Sequence, residues 1–211
     1  MLLRLAEELE VPLRARNELL LAAGFAPAFQ ERQLDDAALA EARMAMELVL
    51  EGHLPYPALA VDRHWNLLTA NAAAHGLLDG VSPALLVPPV NVLRVSLHPE
   101  GVAPRIVNLA QWRGHVLARL RHQFEATADP MLSRLLAELA AYPGGGETGS
   151  AGAWAGGDYV VPLSLRAGDR VLSFFSTTTV FGTPLDVTLS EIAIEAFYPA
   201  DRATASALLT R

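Results

Sequence analysis

The sequence predicts an α+β fold: a five-stranded antiparallel sheet, two strands early and three late, with helices on one face and a short helical stub in front. Three observations support it. Residues 57–78, PALAVDRHWNLLTANAAAHGLL, place two short apolar runs (58–61 and 66–70) around the polar tetrad Asp62-Arg63-His64-Trp65, followed by small residues. The middle of the chain keeps helical periodicity, with Leu109, Trp112, Val116, Leu120 and Phe124 along one stripe. The last third is rich in Phe, Thr and Val, which a pleated sheet favours.

A length of 211 residues fits one domain, or one domain with a small appendage. With 52% hydrophobic residues, a sizeable core can be buried. The apolar run from Leu19 to Ala23 is far too short to span a bilayer, and the N-terminus lacks the order of a secretory signal. A cytoplasmic protein without membrane contact is expected. The absence of cysteine excludes disulfides, thiolate metal sites and a Cys nucleophile. All 16 basic residues are arginine, and the formal net charge is -7. Such a chain repels phosphate, so these residues are not expected to grip nucleic acid by themselves.

From the N-terminus, residues 1–10 read as a helix with Leu2, Leu5 and Leu9 on one face. Pro12 suits the first turn of a second helix over 13–23, with Leu19, Leu20 and Ala23 apolar and Gly24 as its stop. Residues 26–36 read as a linker. Residues 39–53 carry a strong helical stripe of Leu39, Ala42, Met46, Val49 and Leu50. Core packing is expected there, with Met44 and Met46 as an adaptable partner surface in the alternative. In the early hairpin, Asp62 is placed to accept from the backbone two residues on, and Asn71 to cap the next helix.

In NVLRVSLHPEG, residues 91–101, Arg94 and His98 lie four apart and share a helical face. Arg113 falls inside the apolar stripe of the helix that begins near Leu109. Either its stem reaches past the core to solvent, or it meets an anionic headgroup. Arg119, Arg121 and His122 point away from the stripe and are expected in solvent. Asp129-Pro130 opens a further helix with Leu132, Leu135, Leu136 and Leu139 buried. Residues 142–158 are glycine-rich, with Trp154 as an anchor or lid; no Lys-Ser/Thr follows, which rejects a phosphate loop. Strands are expected over 159–165, 170–181 and 185–197, the last with a bulge or a twist at Ser190-Glu191, and Asp201 caps a final helix over 202–209.

Catalytic and metal-binding patterns were sought as well. The sequence holds no His-Glu-x-x-His, no Gly-x-Ser-x-Gly and no Gly-x-Gly-x-x-Gly after a strand. His115 and His122 are seven apart, but two histidines without a carboxylate make a weak metal site. Neither enzymatic activity nor a cofactor is expected.

PALAVDRHWNLLTANAAA, NVLRVSLHPEG and WRGHVLARLRHQF, in that order, resemble the MmyB-like ligand-binding domain of bacterial transcription regulators, a PAS-like fold. RLAEELEVPLRARNELLLAAGFAP is similar to the last two helices of an XRE-type helix-turn-helix domain, without its recognition helix. The resemblance implies a helix-turn-helix remnant over 1–25, a linker over 26–37 and a sensor domain over 38–211. It also implies a homodimer that contacts DNA through the rest of the helix-turn-helix domain, and a fatty acid-like ligand. Trp112, Val116 and Phe174 are the expected cavity lining. Asn91, Arg94, His98, Asn108 and Arg113 are the candidates for the headgroup. The alternative is a dimerisation scaffold of the same fold whose core is simply full.

Overall fold

A computed structural model describes residues 1–144 and 161–209. The expected sheet is present, antiparallel and ordered β2-β1-β5-β4-β3. Its strands are β1 (Ala58–Val61), β2 (Leu67–Ala70), β3 (Leu163–Ala167), β4 (Arg170–Val180) and β5 (Ala193–Pro199). The helices are α1 (Leu2–Glu8), α2 (Leu13–Ala22), α3 (Ala40–Gly52), α4 (Ala72–His75), α5 (Val92–Leu97), α6 (Leu109–Thr127), α7 (Pro130–Ala141), α8 (Val187–Ser190) and α9 (Arg202–Leu209). Among the described residues, no helix is long and apolar enough to cross a membrane. The expectations for the glycine-rich segment fall largely on residues 145–160, outside the described residues, as does Trp154.

Side chains alternate across the strands, and the sheet therefore has two different faces. Ala58 and Ala60 of β1 and Ile194 and Ala196 of β5 face α3, where Met46 and Leu50 close a small apolar cluster. On α3, Val49 and Met44 stay exposed, so the buried stripe is narrower than its sequence pattern. The opposite face carries the main core, in which Val61, Leu163, Leu165 and Phe174 meet Trp112, Val116 and Leu120 of α6 and Leu132, Leu135 and Leu139 of α7. Burying each of these leucines stabilises the fold by roughly 1.5–3 kcal/mol. Asp129 starts α7 as the sequence predicts, its Oδ1 accepting from Met131 N at 2.8 Å.

The hairpin turn closes on Asp62. Its Oδ1 accepts from His64 N and Asn66 N, each at 2.8 Å, and Oδ2 accepts from Asn66 Nδ2 at 2.9 Å. Trp65 is held there at φ 67°, a left-handed conformation rarely adopted by a bulky residue. Asn71 then does more than cap α4. Its Oδ1 accepts from Ala74 N at 3.0 Å and from Ala58 N at 3.1 Å. Its Nδ2 donates to Leu50 O at 3.0 Å and Tyr56 O at 2.9 Å. One buried amide thus ties together the end of α3, the start of β1 and α4.

Two expectations need correction. The strand predicted over 185–197 is shorter, because buried Asp186 caps a helical turn, accepting from Thr188 N at 2.9 Å, and β5 begins only at Ala193. A local side-chain-to-backbone bond has displaced the ladder. In the N-terminal hairpin Leu5, Leu9 and Leu19 are exposed, and Ala6 and Leu20 are the buried residues. That hairpin and the irregular run behind it lie against α8. Val187 N donates to Gln30 O at 2.8 Å, Arg32 pairs with Asp186 at 2.9 Å, and Arg14 reaches Glu191 at 2.6 Å.

Asn71→Ala would strand several buried backbone groups at once. A loss of about 3 kcal/mol is expected, read as a lower urea midpoint with an unchanged slope.

Candidate ligand cavity

The main core is not filled. Between the sheet and helices α4, α5 and α6 lies a cavity of about 130 Å³. Leu59, Leu67, Leu163, Leu165 and Phe197 form its sheet wall, and Ala74, Leu77, Val92, Val95, Trp112 and Val116 its helical wall. An apolar cavity of ~150 Å³ admits a benzene-sized molecule. The space therefore suits a compact apolar body or a slender short chain.

A few polar groups interrupt this wall, among them His75 of α4. Glu195, on β5, is only 4% exposed. Its side chain emerges on the cavity face because it lies two residues from Phe197, and in the ladder it lies opposite Leu59 on one side and Thr178 on the other. Arg119 of α6 meets it with two bonds, Nη2 to Oε1 at 2.6 Å and Nη1 to Oε2 at 3.0 Å. Thr178 Oγ1 accepts from Arg119 Nη2 at 2.7 Å and donates to Glu195 Oε1 at 2.8 Å. The guanidinium also lies 4.5 Å from the ring centre of Trp65, whose Nε1 donates to Gln123 Oε1 at 2.8 Å. Pairing, bidentate geometry and an aromatic face together offset the cost of burying these charges.

His115 sits one turn earlier on α6, its ring 5.7 Å from that of Trp112. Burial holds its pKa below the ordinary histidine value; the positive Arg119 adds to this and Glu195 opposes it. The neutral ring offers one donor and one acceptor. Ser96 Oγ accepts from Trp112 Nε1 at 2.9 Å, and Ser176 lines the cavity beside Glu195.

Of the residues chosen from the sequence, Trp112 and Val116 line this space. Phe174 is fully buried behind it, edge-on to Phe197 with ring centres 6.5 Å apart. The five headgroup candidates lie elsewhere. Asn91 caps α5 through Arg94 N at 3.1 Å and donates to His64 O at 2.8 Å. Arg94 is paired with Glu138 of α7, at 2.7 and 2.8 Å. His98 Nδ1 accepts from Glu100 N at 3.0 Å, and its ring stands edge-on to Tyr142. Asn108 joins Pro162 O and Ser164 N, fixing the start of β3. Arg113 donates to Ala140 O at 2.6 Å, because one step beyond Trp112 turns it towards α7.

Arg119, assigned to solvent from the sequence, is the correction that matters. Trp112, Val116, Arg119 and Gln123 fall at i, i+4, i+7 and i+11, a helical stripe that was present in the sequence. Glu195 carried a similar signal, in phase with Ala193 and Phe197 along one strand face. Arg119→Ala would leave Glu195 buried and unpaired. A loss of about 3 kcal/mol is expected, at the low end for a buried pair because Arg119 is a third exposed. Replacing both residues by Met should recover most of it, as denaturant unfolding of the three variants would show.

Residues 42–210 match the family model described as the MmyB-like transcription regulator ligand binding domain. No curated protein matches the chain. The match spans the sheet, every wall of the cavity and the Arg119–Glu195 pair, and the chain belongs to the family of MmyB-like transcription regulator ligand-binding domains.

Proposed function

We propose that this chain is the sensing module of a bacterial DNA-binding regulator, and that it holds a small apolar or amphipathic molecule in the cavity beneath α6. The observation that carries this is the cavity itself, which is lined mainly by apolar side chains with a few polar groups among them. Ligand sites are commonly built in this way. An acyl chain, as in the fatty acid-like ligand expected from the sequence, belongs to this class. Binding rather than turnover is its task. DNA contact falls to a helix-turn-helix domain in a homodimeric, cytoplasmic regulator, and the ligand acts by favouring one of two states that bind it unequally.

Denaturing extraction and mass spectrometry of the purified protein should recover a stoichiometric apolar small molecule. Short-chain alcohols should raise the melting temperature in a concentration-dependent way. Val116→Phe, which fills part of the cavity, should weaken that response at least tenfold while the protein still folds. A ligand-free protein whose melting no apolar probe alters would replace the sensor with a dimerisation scaffold.

A further inference from the structure

The polar groups of the cavity wall differ in unmet hydrogen-bonding capacity. Three of the five N–H groups of Arg119 go to Glu195 and Thr178, and both Glu195 oxygens are taken in return. The charged pair is neutral as a unit. His115 and Ser176 face the same space, and among the described residues neither side chain has a hydrogen-bond partner. These two side chains offer a ligand uncharged hydrogen-bonding groups, and the charge of Arg119, the cation that would attract an anion, is already balanced by Glu195.

A carboxylate entering here has two options. It can sit beside the intact pair, adding a second negative charge next to Glu195 in a low-dielectric wall. Or it can take Arg119 for itself, leaving Glu195 buried and unpaired. An alcohol, amide or ester meets neither cost. We infer that Glu195 is a specificity residue: by occupying Arg119 it makes the cavity select ligands with an uncharged polar group and reject free carboxylates of the same chain. The inference rests on the cavity being the ligand site, and it separates the fatty chain of the expected ligand from its acid headgroup.

The test compares hexan-1-ol and hexanamide with hexanoate at pH 7.5, by calorimetry on the whole chain and on Glu195→Gln. Gln keeps the shape and can still accept from Arg119, but it releases the positive charge. In the unaltered protein both neutral probes should bind at least tenfold tighter than hexanoate. Glu195→Gln should shift that ratio at least tenfold towards hexanoate, while Arg94→Gln, outside the cavity, leaves it unchanged. Hexanoate binding as tightly as the alcohol to the unaltered protein overturns the inference and leaves the cavity as a ligand site. A neutral preference that Glu195→Gln does not alter removes Glu195 from the explanation, since desolvation of the carboxylate would then account for it. Binding by none of the three probes defeats the cavity reading itself, and this inference with it. The comparison on the unaltered protein decides the anion question even where the variant folds poorly.

Discussion

The cavity depends on β1 pairing with β5. These strands come from opposite ends of the domain, and bringing them together closes a long loop at an entropic cost that grows only slowly with its length. Their register puts Leu59 opposite Glu195 and Ala60 opposite Ile194. That single alignment sorts the sheet into an alanine-rich face for α3 and a large-residue face for α6. A one-residue slip would send Glu195 into the cluster around Met46 and turn Ile194 towards the cavity. The register is held from outside the ladder as well, by Asn71, whose Oδ1 accepts from Ala58 N at the first residue of β1.

Elements written in local patterns were legible in the sequence. The Asp62 turn, the Asn71 and Asp129 caps, the stripe of α6 and the division of strands into two and three all follow from bonds or periodicities within a few residues. What was not legible was the partner of each charge. Periodicity puts Arg119 on the same stripe as Trp112 and Val116, but a charged residue was read as solvated, and nothing local reveals a carboxylate seventy-six residues away on another strand. The same limit misplaced Arg94 and Arg113 into the cavity, because their partners, Glu138 and the carbonyl of Ala140, both lie on α7. The phase change at Ser190-Glu191 falls at the end of the capped helical turn α8, ahead of β5, and not at a bulge or twist within one strand.

The hairpin turn has a second consequence. Its neighbours Arg63 and Trp65 project to different surroundings. Trp65 lines the cavity under Arg119, while Arg63 lies 3.7 Å from Glu191 and 3.5 Å from Asp129. Glu191 is also the carboxylate that Arg14 reaches from α2. The cavity wall and the anchor of the N-terminal helices are therefore held by the same five-residue turn, which Asp62 locks with three side-chain bonds.

The two attachments differ in kind. The ligand-binding core is held by buried apolar surface, which salt does not screen. The N-terminal hairpin buries little beyond Ala6 and Leu20, and it is fixed by partly exposed ion pairs of Arg14 and Arg32 together with a few hydrogen bonds around Val187 and Thr188. The exposed members of these pairs leave them open to screening by salt. Salt therefore acts on the joint between the hairpin and the ligand-binding core. The anchoring carboxylate of that joint, Glu191, contacts the turn that carries a wall of the cavity.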